Sequence, residues 1–428
     1  MTLARLYMPH FIAGGLLLLY LSMVVLIYKY VVVGYGLYFS AGYQEGSAVI
    51  ALLYVWVLCV FLFNVLGSYA VIDGAYKLFS LCFVVFICAP ALLIGAISSL
   101  ALSPLFIFNM VLVSVVLVGL TRLKDFELTM RFWLARYFML FPFIVFSIFA
   151  FYLVFLYRGE LSLVALDEVY TKRAQAKEFT GLFIGYAVGW VSNFASPVLI
   201  AFGLYDRKYL YVCFGVAGYL LIYMLAGHKS SLISMALIFG LFYFSRRLTL
   251  QKVLFVLLGG LITILLVDSL FGRPILAPYT FDRMIVAPSV LSLLYFDFFE
   301  GGEPIYLSHS ILRGVFTNPY GMQPPEIIGA KYFDGDWANV NFVGEGFANF
   351  NSLGVLLYLF FTIFIVKAYD FVSCHLPVHV RLSIFVPVLL YLMNASPLTL
   401  ILTGGLFPLV FVICLSSGRA GWEGGVCR

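Results

Sequence analysis

Long apolar runs recur along the whole chain, and they constrain its fold more than any other feature. The stretch "LFPFIVFSIFAFYLVFL" is typical, because it contains no charged residue and many runs of similar length accompany it. About 20 apolar residues span the hydrocarbon core of a bilayer as an α-helix. Inside lipid the backbone must satisfy its own hydrogen bonds, so each run is predicted to be helical. With 64% hydrophobic and 11% charged residues, the composition excludes a soluble globular domain.

We therefore expect an all-α polytopic integral membrane protein, with a single membrane domain over residues 1–428. The hydropathy pattern predicts about twelve transmembrane helices. Their approximate bounds are 10–29, 48–66, 78–97, 104–120, 132–157, 182–204, 209–226, 231–245, 253–271, 348–366, 382–397 and 399–415. The "NASPLT" stretch between the last two leaves open a kink within one span in place of a turn.

Charge sets the expected orientation. Twelve spans place both termini on one side, where short segments carry 15 of the 25 lysines and arginines. The positive-inside rule assigns that side to the cytoplasm. The first run is too long for a signal peptide and lacks a small-residue cleavage site, so it is predicted to stay as the first helix. Two large loops, 158–181 and 272–347, then face outward.

Lys229 departs from this charge pattern. It lies in "AGHKSS", a very short turn that is predicted to face outward between two apolar runs. One interpretation is a lysine that reaches toward the headgroups of the outer leaflet. The other is a cation held where anionic groups pass.

The first outer loop, 158–181, has the leucine spacing of a helix lying along the membrane surface. It carries four basic and four acidic residues, and Lys172 and Arg173 are adjacent within it. Charged residues four positions apart fit equally well a solvated amphipathic helix with ordinary ion pairs.

The second outer loop, 272–347, is too long and too rich in aromatic residues for a linker, and long ordered loops are usually functional. Its formal charge is −4, with four basic and eight acidic residues. A general anion-attracting surface is therefore excluded, and any anionic ligand needs individual arginines aimed at it. Rings, amides and carboxylates suit sugars. A packed cap whose polar groups only satisfy turns is the alternative. Within the loop, "MIVAPSVLSLLYFDFF" is apolar enough to lie in the membrane interface but is interrupted by Pro288.

Four motifs in this order resemble a known family. They are "KRAQAKEFTG", "GHKSSL", "FDRM" followed by "YFDFFEGGEPIY", and "KYFDGDWANVNFVGEGFANFNSLG". The chain resembles the bacterial oligosaccharide repeat-unit polymerases, the Wzy-type O-antigen polymerases, over residues 172–354. Elsewhere only the span count and the hydropathy agree.

The resemblance implies a polymerase of the bacterial inner membrane with a fold similar to GT-C glycosyltransferases and an active site facing the periplasm. It would move a growing glycan en bloc from one undecaprenyl diphosphate to the next repeat unit. Its partners would be lipid-linked glycan donor and acceptor, membrane lipid and a chain-length regulator, with no nucleic acid. No cofactor, metal or nucleotide sugar is implied, and the sequence has no clustered metal ligands.

The resemblance also implies roles for individual residues. Arg173 and Arg283 match the family's loop arginines, and with Lys229 they would stabilise the charge on the leaving diphosphate. The family pattern does not single out a general base. From the residues themselves we prefer Glu345, between Gly344 and Gly346, because the glycines allow close backbone approach. The other candidate bases are Asp336, Asp297, Glu303 and His309. The predicted substrate contacts are Lys172, Tyr295, Asp297, Lys331, Tyr332, Trp337, Asn339, Asn341 and Asn349.

Three alternatives to the polymerase stay open. An O-antigen ligase would share the arginines and the large outer loop. A lipid-linked oligosaccharide flippase or other transporter would place ionisable residues within its spans, where this sequence has almost none. A purely structural membrane protein would leave the outward cations without a role.

Overall fold

A computed structural model describes residues 2–37, 69, 71–97, 103–122, 137–157, 183–227, 229–245, 248–335 and 337–417. All the regular elements in these ranges are helices. They are α1 (Thr2–Ile27), α2 (Ala75–Phe83), α3 (Ala89–Ile97), α4 (Pro104–Gly119), α5 (Leu140–Leu156), α6 (Ile184–Trp190), α7 (Ser196–Tyr205), α8 (Tyr209–Ala226), α9 (Lys229–Phe244), α10 (Leu250–Phe271), α11 (Ala287–Phe299), α12 (Pro324–Tyr332), α13 (Phe342–Ser373), α14 (Val378–Asn394), α15 (Pro397–Leu402) and α16 (Leu406–Ser416).

Five helical segments are long and apolar enough to cross a membrane within the described ranges. They are Ile12–Val33, Ala75–Ile97, Ile184–Tyr205, Leu250–Phe271 and Phe342–Ser373. Shorter apolar helices, such as α4 and α8, accompany them. The chain is thus an α-helical membrane protein, as expected. The count of twelve spans stays a prediction, and the predicted span at 48–66 lies outside the described residues.

Several long helices contain a π-helical turn that joins two α-helical parts. Val84–Cys88 joins α2 to α3, Val191–Ala195 joins α6 to α7, and Asp282–Val286 leads into α11. Each wide turn keeps the helix continuous while it shifts the side chains that follow. The predicted helix at 399–415 differs, because it ends at Leu402 and restarts at Leu406. Gly404 and Gly405 occupy this break, and Gly405 has φ +83°.

The chain folds into two compact units. The first contains residues 1–123, 248–364 and 393–396. In its core the rings of Phe83 and Phe342 stack with centroids 4.6 Å apart, and Phe296 stacks on Phe347 at 3.8 Å.

Helix α11 lies in the core of this unit, and it corrects the expectation that its sequence lies in the membrane interface. It packs against α3, and nearly all its side chains are buried. Pro288 does not interrupt it. It occupies the first turn, where a helix needs no N–H from that residue.

The second unit contains residues 124–247, 365–392 and 397–428. Helices α7 and α8 approach closely in it, because Gly215 and Gly218 present no side chain. A Cβ atom on Gly218 would overlap the Ser196 hydroxyl. Ile200, Tyr219, Ile238 and Val386 form a buried cluster in this unit.

Candidate functional site

The start of the segment 272–347 is held by hydrogen bonds to a buried carboxylate. Asp268, near the end of α10, is buried, and its Oδ1 accepts hydrogen bonds from the backbone N–H groups of Ile275 (2.8 Å) and Leu276 (2.7 Å). Its Oδ2 accepts a third from Ala277 at 3.1 Å. Three charge-assisted bonds to one carboxylate tie the start of the segment to the helix end.

Arg283 lies in the π-helical turn that leads into α11, and it is partly exposed. Its neighbour Asp282 is only 2% exposed, and the Oδ1 atom has no hydrogen-bond partner among the described residues. Burial raises the pKa of the Asp282 carboxyl to about 7, and the charge of Arg283 opposes this rise. Sequence reasoning missed Asp282, although it stands within the "FDRM" motif.

Asp297, Phe298, Lys331 and Tyr332 form what we call the aromatic patch. The Tyr332 hydroxyl donates a hydrogen bond to Asp297, and the Lys331 ammonium lies 4.8 Å from the ring centroids of both Phe298 and Tyr332. Burial, followed by the bond to Asp297 and its charge, raises the pKa of Tyr332. Asp297 and Lys331 are exposed. The structure therefore brings together three of the predicted substrate contacts on α11 and α12.

Trp337 and Asn339 form a second exposed pair after α12. The Trp337 indole N–H donates to Asn339 Oδ1 at 2.8 Å, which holds the two side chains together. Trp337 is 47% exposed, so its ring remains available for stacking.

Three other predicted contacts are buried. Tyr295 is fully buried, and its hydroxyl donates to the Ala338 carbonyl at 2.9 Å. Asn341 donates to Ser292 Oγ at 2.8 Å and accepts from the Val343 N–H at 3.0 Å. Asn349 accepts from the Leu307 N–H at 2.8 Å and donates to the Glu345 carbonyl at 2.9 Å. Because their polar atoms bond inside the fold, these residues support the segment, and their contact with a substrate stays a prediction.

Glu345 lies in the first part of α13, which is interrupted at Phe350 and Asn351. Asn351 has φ 53° and ψ −144°, a conformation typical of glycine. The Glu345 carboxylate accepts hydrogen bonds from the Tyr358 hydroxyl, at 3.4 Å, and from Ser396. Gly346 lies against the backbone of Gly354, where a Cβ atom would overlap the Gly354 carbonyl.

A strained loop covers this interruption. The N–H groups of Ile305 and Tyr306 donate to the carbonyls of Ala348 (3.0 Å) and Asn349 (3.1 Å), which would otherwise lack partners at a helix end. Tyr306 and Leu307 both have positive φ, at 55° and 57°. Such conformations cost about 1–3 kcal/mol each, so the surrounding contacts must hold them in place.

The remaining predicted residues fall elsewhere. Lys229 is the partly exposed first residue of α9 in the second unit, directly after the turn that ends α8. Lys172, Arg173 and Asp336 lie outside the described residues, as does the loop 158–181. Glu303 is exposed, and burial lowers the pKa of His309.

No group of three or more potential metal ligands of the His, Cys, Asp or Glu type occurs within the described ranges. Comparisons with protein-family models, with curated proteins and with solved structures found no match to this chain.

Proposed function

We propose that the protein is a membrane glycosyltransferase that joins undecaprenyl-diphosphate-linked oligosaccharide repeat units into a surface polysaccharide. The observation that carries the proposal is the aromatic patch, an exposed carboxylate bonded to a tyrosine hydroxyl, with the tyrosine ring, a phenylalanine ring and a lysine beside it. In the proposal this surface faces the periplasm, and both termini are in the cytoplasm of the inner membrane.

The patch suits a sugar acceptor. The faces of Phe298 and Tyr332 offer apolar stacking surface, and Asp297 can accept a hydrogen bond from a sugar hydroxyl. Trp337 and Asn339 would extend the contact to a neighbouring sugar. The segment's net negative charge agrees with a ligand that is bound by hydroxyl contacts and not by general anion attraction.

The reaction we propose is a displacement at the anomeric carbon of the donor glycan. The acceptor oxygen forms a bond to that carbon, and the bond from the carbon to the lipid diphosphate breaks. The diphosphate leaves with the electron pair, and Arg283 would stabilise its charge. Arg173 and Lys229 are predicted from the sequence to stabilise the same charge, and this role stays a prediction.

We assign the proton of the acceptor hydroxyl to Asp297, one of the candidate bases. A base must come within hydrogen-bond reach of the hydroxyl, and the exposure of Asp297 supports this. Glu345 is the less suitable base, because it is only partly exposed whereas Asp297 is exposed.

A transporter of lipid-linked glycans is the second candidate. One specific observation favours it: Glu345 lies in an interrupted helix that belongs to a candidate membrane span. Ionisable residues on discontinuous helices are typical of transporter sites.

The test is a glycan ladder on a gel. The gene is deleted in its own host and restored as wild type, Arg283→Ala, Asp297→Asn, Lys229→Ala or Arg173→Ala. Arg313→Ala is the matched control, because Arg313 is an exposed arginine of the same segment outside the patch. Membrane abundance is measured for each variant.

For a polymerase, deletion leaves lipid A-core with a single repeat unit. Arg283→Ala and Asp297→Asn then fail to restore the ladder, while Arg313→Ala succeeds. Core without any repeat would replace the polymerase by a ligase or a transporter. A normal ladder from every variant would remove the assigned residues from the reaction.

A further inference from the structure

The interruption of α13 gathers oxygen atoms around one carboxylate. We infer that Glu345, Tyr358 and Ser396 form a binding site for a monovalent metal cation of the size of Na⁺. Tyr358 lies in α13 beyond the interruption, and Ser396 lies in the turn between α14 and α15. Two discontinuities of the helical chain therefore meet at Glu345 within the first compact unit.

The first reason is charge. Glu345 is partly enclosed, and among the described residues its carboxylate bonds only to neutral hydroxyl groups, without an ion pair to a basic side chain. An enclosed carboxylate is costly unless a positive charge or a proton neutralises it. A single bound cation of charge +1 would balance the site.

The second reason is an unsatisfied acceptor at the same interruption. Asn109, on α4, is fully buried, and its Nδ2 donates to Ser352 Oγ at 3.0 Å, directly after Asn351. Its Oδ1 has no hydrogen-bond partner among the described residues. A buried amide oxygen normally has a donor or a cation beside it. The interruption thus borders a second oxygen that lacks a donor among the described residues and that a cation could satisfy.

The ligand chemistry selects the ion. Carboxylate, hydroxyl and amide oxygens are hard ligands, which suit alkali and alkaline-earth cations and not zinc or copper. Calcium sites use several carboxylates and six to eight oxygens. Glu345 alone supplies the negative charge here, so the site fits a monovalent ion. Backbone and side-chain oxygens at discontinuous helices are a known setting for Na⁺.

The inference does not depend on the proposed glycosyl transfer, and its test measures stability. The full-length protein in detergent is unfolded by heat at constant ionic strength in NaCl, KCl or N-methyl-glucamine chloride. We expect Na⁺ to raise the melting temperature saturably by a few degrees, because only the folded state holds the site. Glu345→Gln should lose this shift, while Glu300→Gln, which changes an exposed glutamate, should keep it.

Tyr358→Phe provides a second variant in case Glu345→Gln does not fold. It removes one oxygen ligand and keeps the carboxylate, so we expect the Na⁺ concentration for half the shift to rise about tenfold. Equal melting temperatures in the three salts would overturn the inference, as would an unchanged Na⁺ response in both variants. A stability that changes with pH alike in all three salts would assign the neutralising role to a proton.

Discussion

Helix α10 and the segment Ala75–Ile97 have almost the same length and hydropathy, yet they lie in opposite surroundings. In the most apolar 18-residue stretch of each, 94% of the residues are buried in the segment Ala75–Ile97 and 28% in α10. Phe79 and Phe83 are fully enclosed, while Val256 and Leu270 of α10 are 75% and 82% exposed. The exposed face of α10 suits lipid contact, and the buried segment serves as core.

The difference teaches that apolarity identifies a membrane helix but does not tell lipid-facing from protein-facing positions. On α10 the buried residues form one narrow stripe at helical spacing. They are Leu250, Leu254, Leu258, Leu261, Ile264 and Asp268. Because lipid and protein interiors are both apolar, most residues outside this stripe are hydrophobic too. Exposure, and not residue type, should therefore decide what a substitution costs.

The largest expected effect comes from truncating a phenylalanine in each helix. Phe83→Ala should lower the free energy of unfolding by about 3–5 kcal/mol, because it removes a stacked ring and leaves a cavity. Phe255→Ala should cost less than about 1 kcal/mol, since Phe255 is 63% exposed. Denaturant unfolding in mixed micelles measures both. Equal losses would break the comparison.

Asp268 is the buried polar exception on α10. Asp268→Ala should destabilise the protein by about 2–3 kcal/mol, because three backbone N–H groups lose their acceptor. Asp268→Asn keeps one side-chain oxygen and should cost less. The same unfolding experiment, with hydrogen exchange of residues 275–277, checks the result. Unchanged exchange protection in Asp268→Ala would contradict it.

Asp282 belongs to the π-helical turn that packs against the π-helical turn of the buried segment Ala75–Ile97. The titration of its carboxyl group should therefore show how well this region is buried. Its pKa is 3.8 in the unfolded chain and about 7 in the folded protein. Between these values the folded state holds a proton that the unfolded state has released, so stability should fall as pH rises through this window. Below this pH window the contribution of Asp282 to stability does not change with pH.

Asp282→Asn removes this titration. The variant should lose that part of the pH dependence and exceed the wild type in stability above pH 7. Melting temperatures from pH 4 to 8 measure the difference between the two proteins. A difference that does not vary with pH would show that Asp282 is not enclosed as described.

A fluorescence measurement sharpens the comparison most directly. Phe255→Trp and Phe79→Trp each place an indole on one helix. The larger ring should cost about 1–3 kcal/mol at buried Phe79 and less at exposed Phe255. Brominated lipids should quench the added fluorescence strongly for Phe255→Trp and weakly for Phe79→Trp, because only residue 255 is exposed. The wild-type signal, from five native tryptophans, is subtracted. Equal quenching would place both faces in lipid.

Sequence reasoning located the apolar helices well where a run had clear ends. Thr249 accepts the Lys252 N–H as an N-cap of α10, and Ser103 caps α4 before Pro104. The sequence-based prediction failed for α11, whose side chains are mostly apolar on all faces. Such a pattern does not indicate which face is buried. The break between α15 and α16 lies at two glycines. Two glycines do not by themselves predict a break, because tertiary contacts decide whether such a pair stays helical.

The candidate site was predictable to a similar extent. Asp297, Lys331 and Tyr332 were selected for their chemistry, and they lie together. Tyr295, Asn341 and Asn349 have the same chemistry, but each bonds a partner that only the folded chain brings close. The Asp282 Oδ1 atom, which has no hydrogen-bond partner in the described part of the chain, is likewise a product of packing, so no local pattern marks it.

The interruption of α13 has a consequence for how the chain enters the membrane during synthesis. An unbroken helix of 32 residues would measure about 48 Å, well beyond a hydrocarbon core of about 30 Å. The part after Asn351 measures roughly 33 Å and fits without strong tilting. The inserting machinery should therefore accept residues 352–373 as one span and leave 342–349 to dock afterwards. Ile305 and Tyr306, whose N–H groups bond the carbonyls of Ala348 and Asn349, are synthesised before that docking piece.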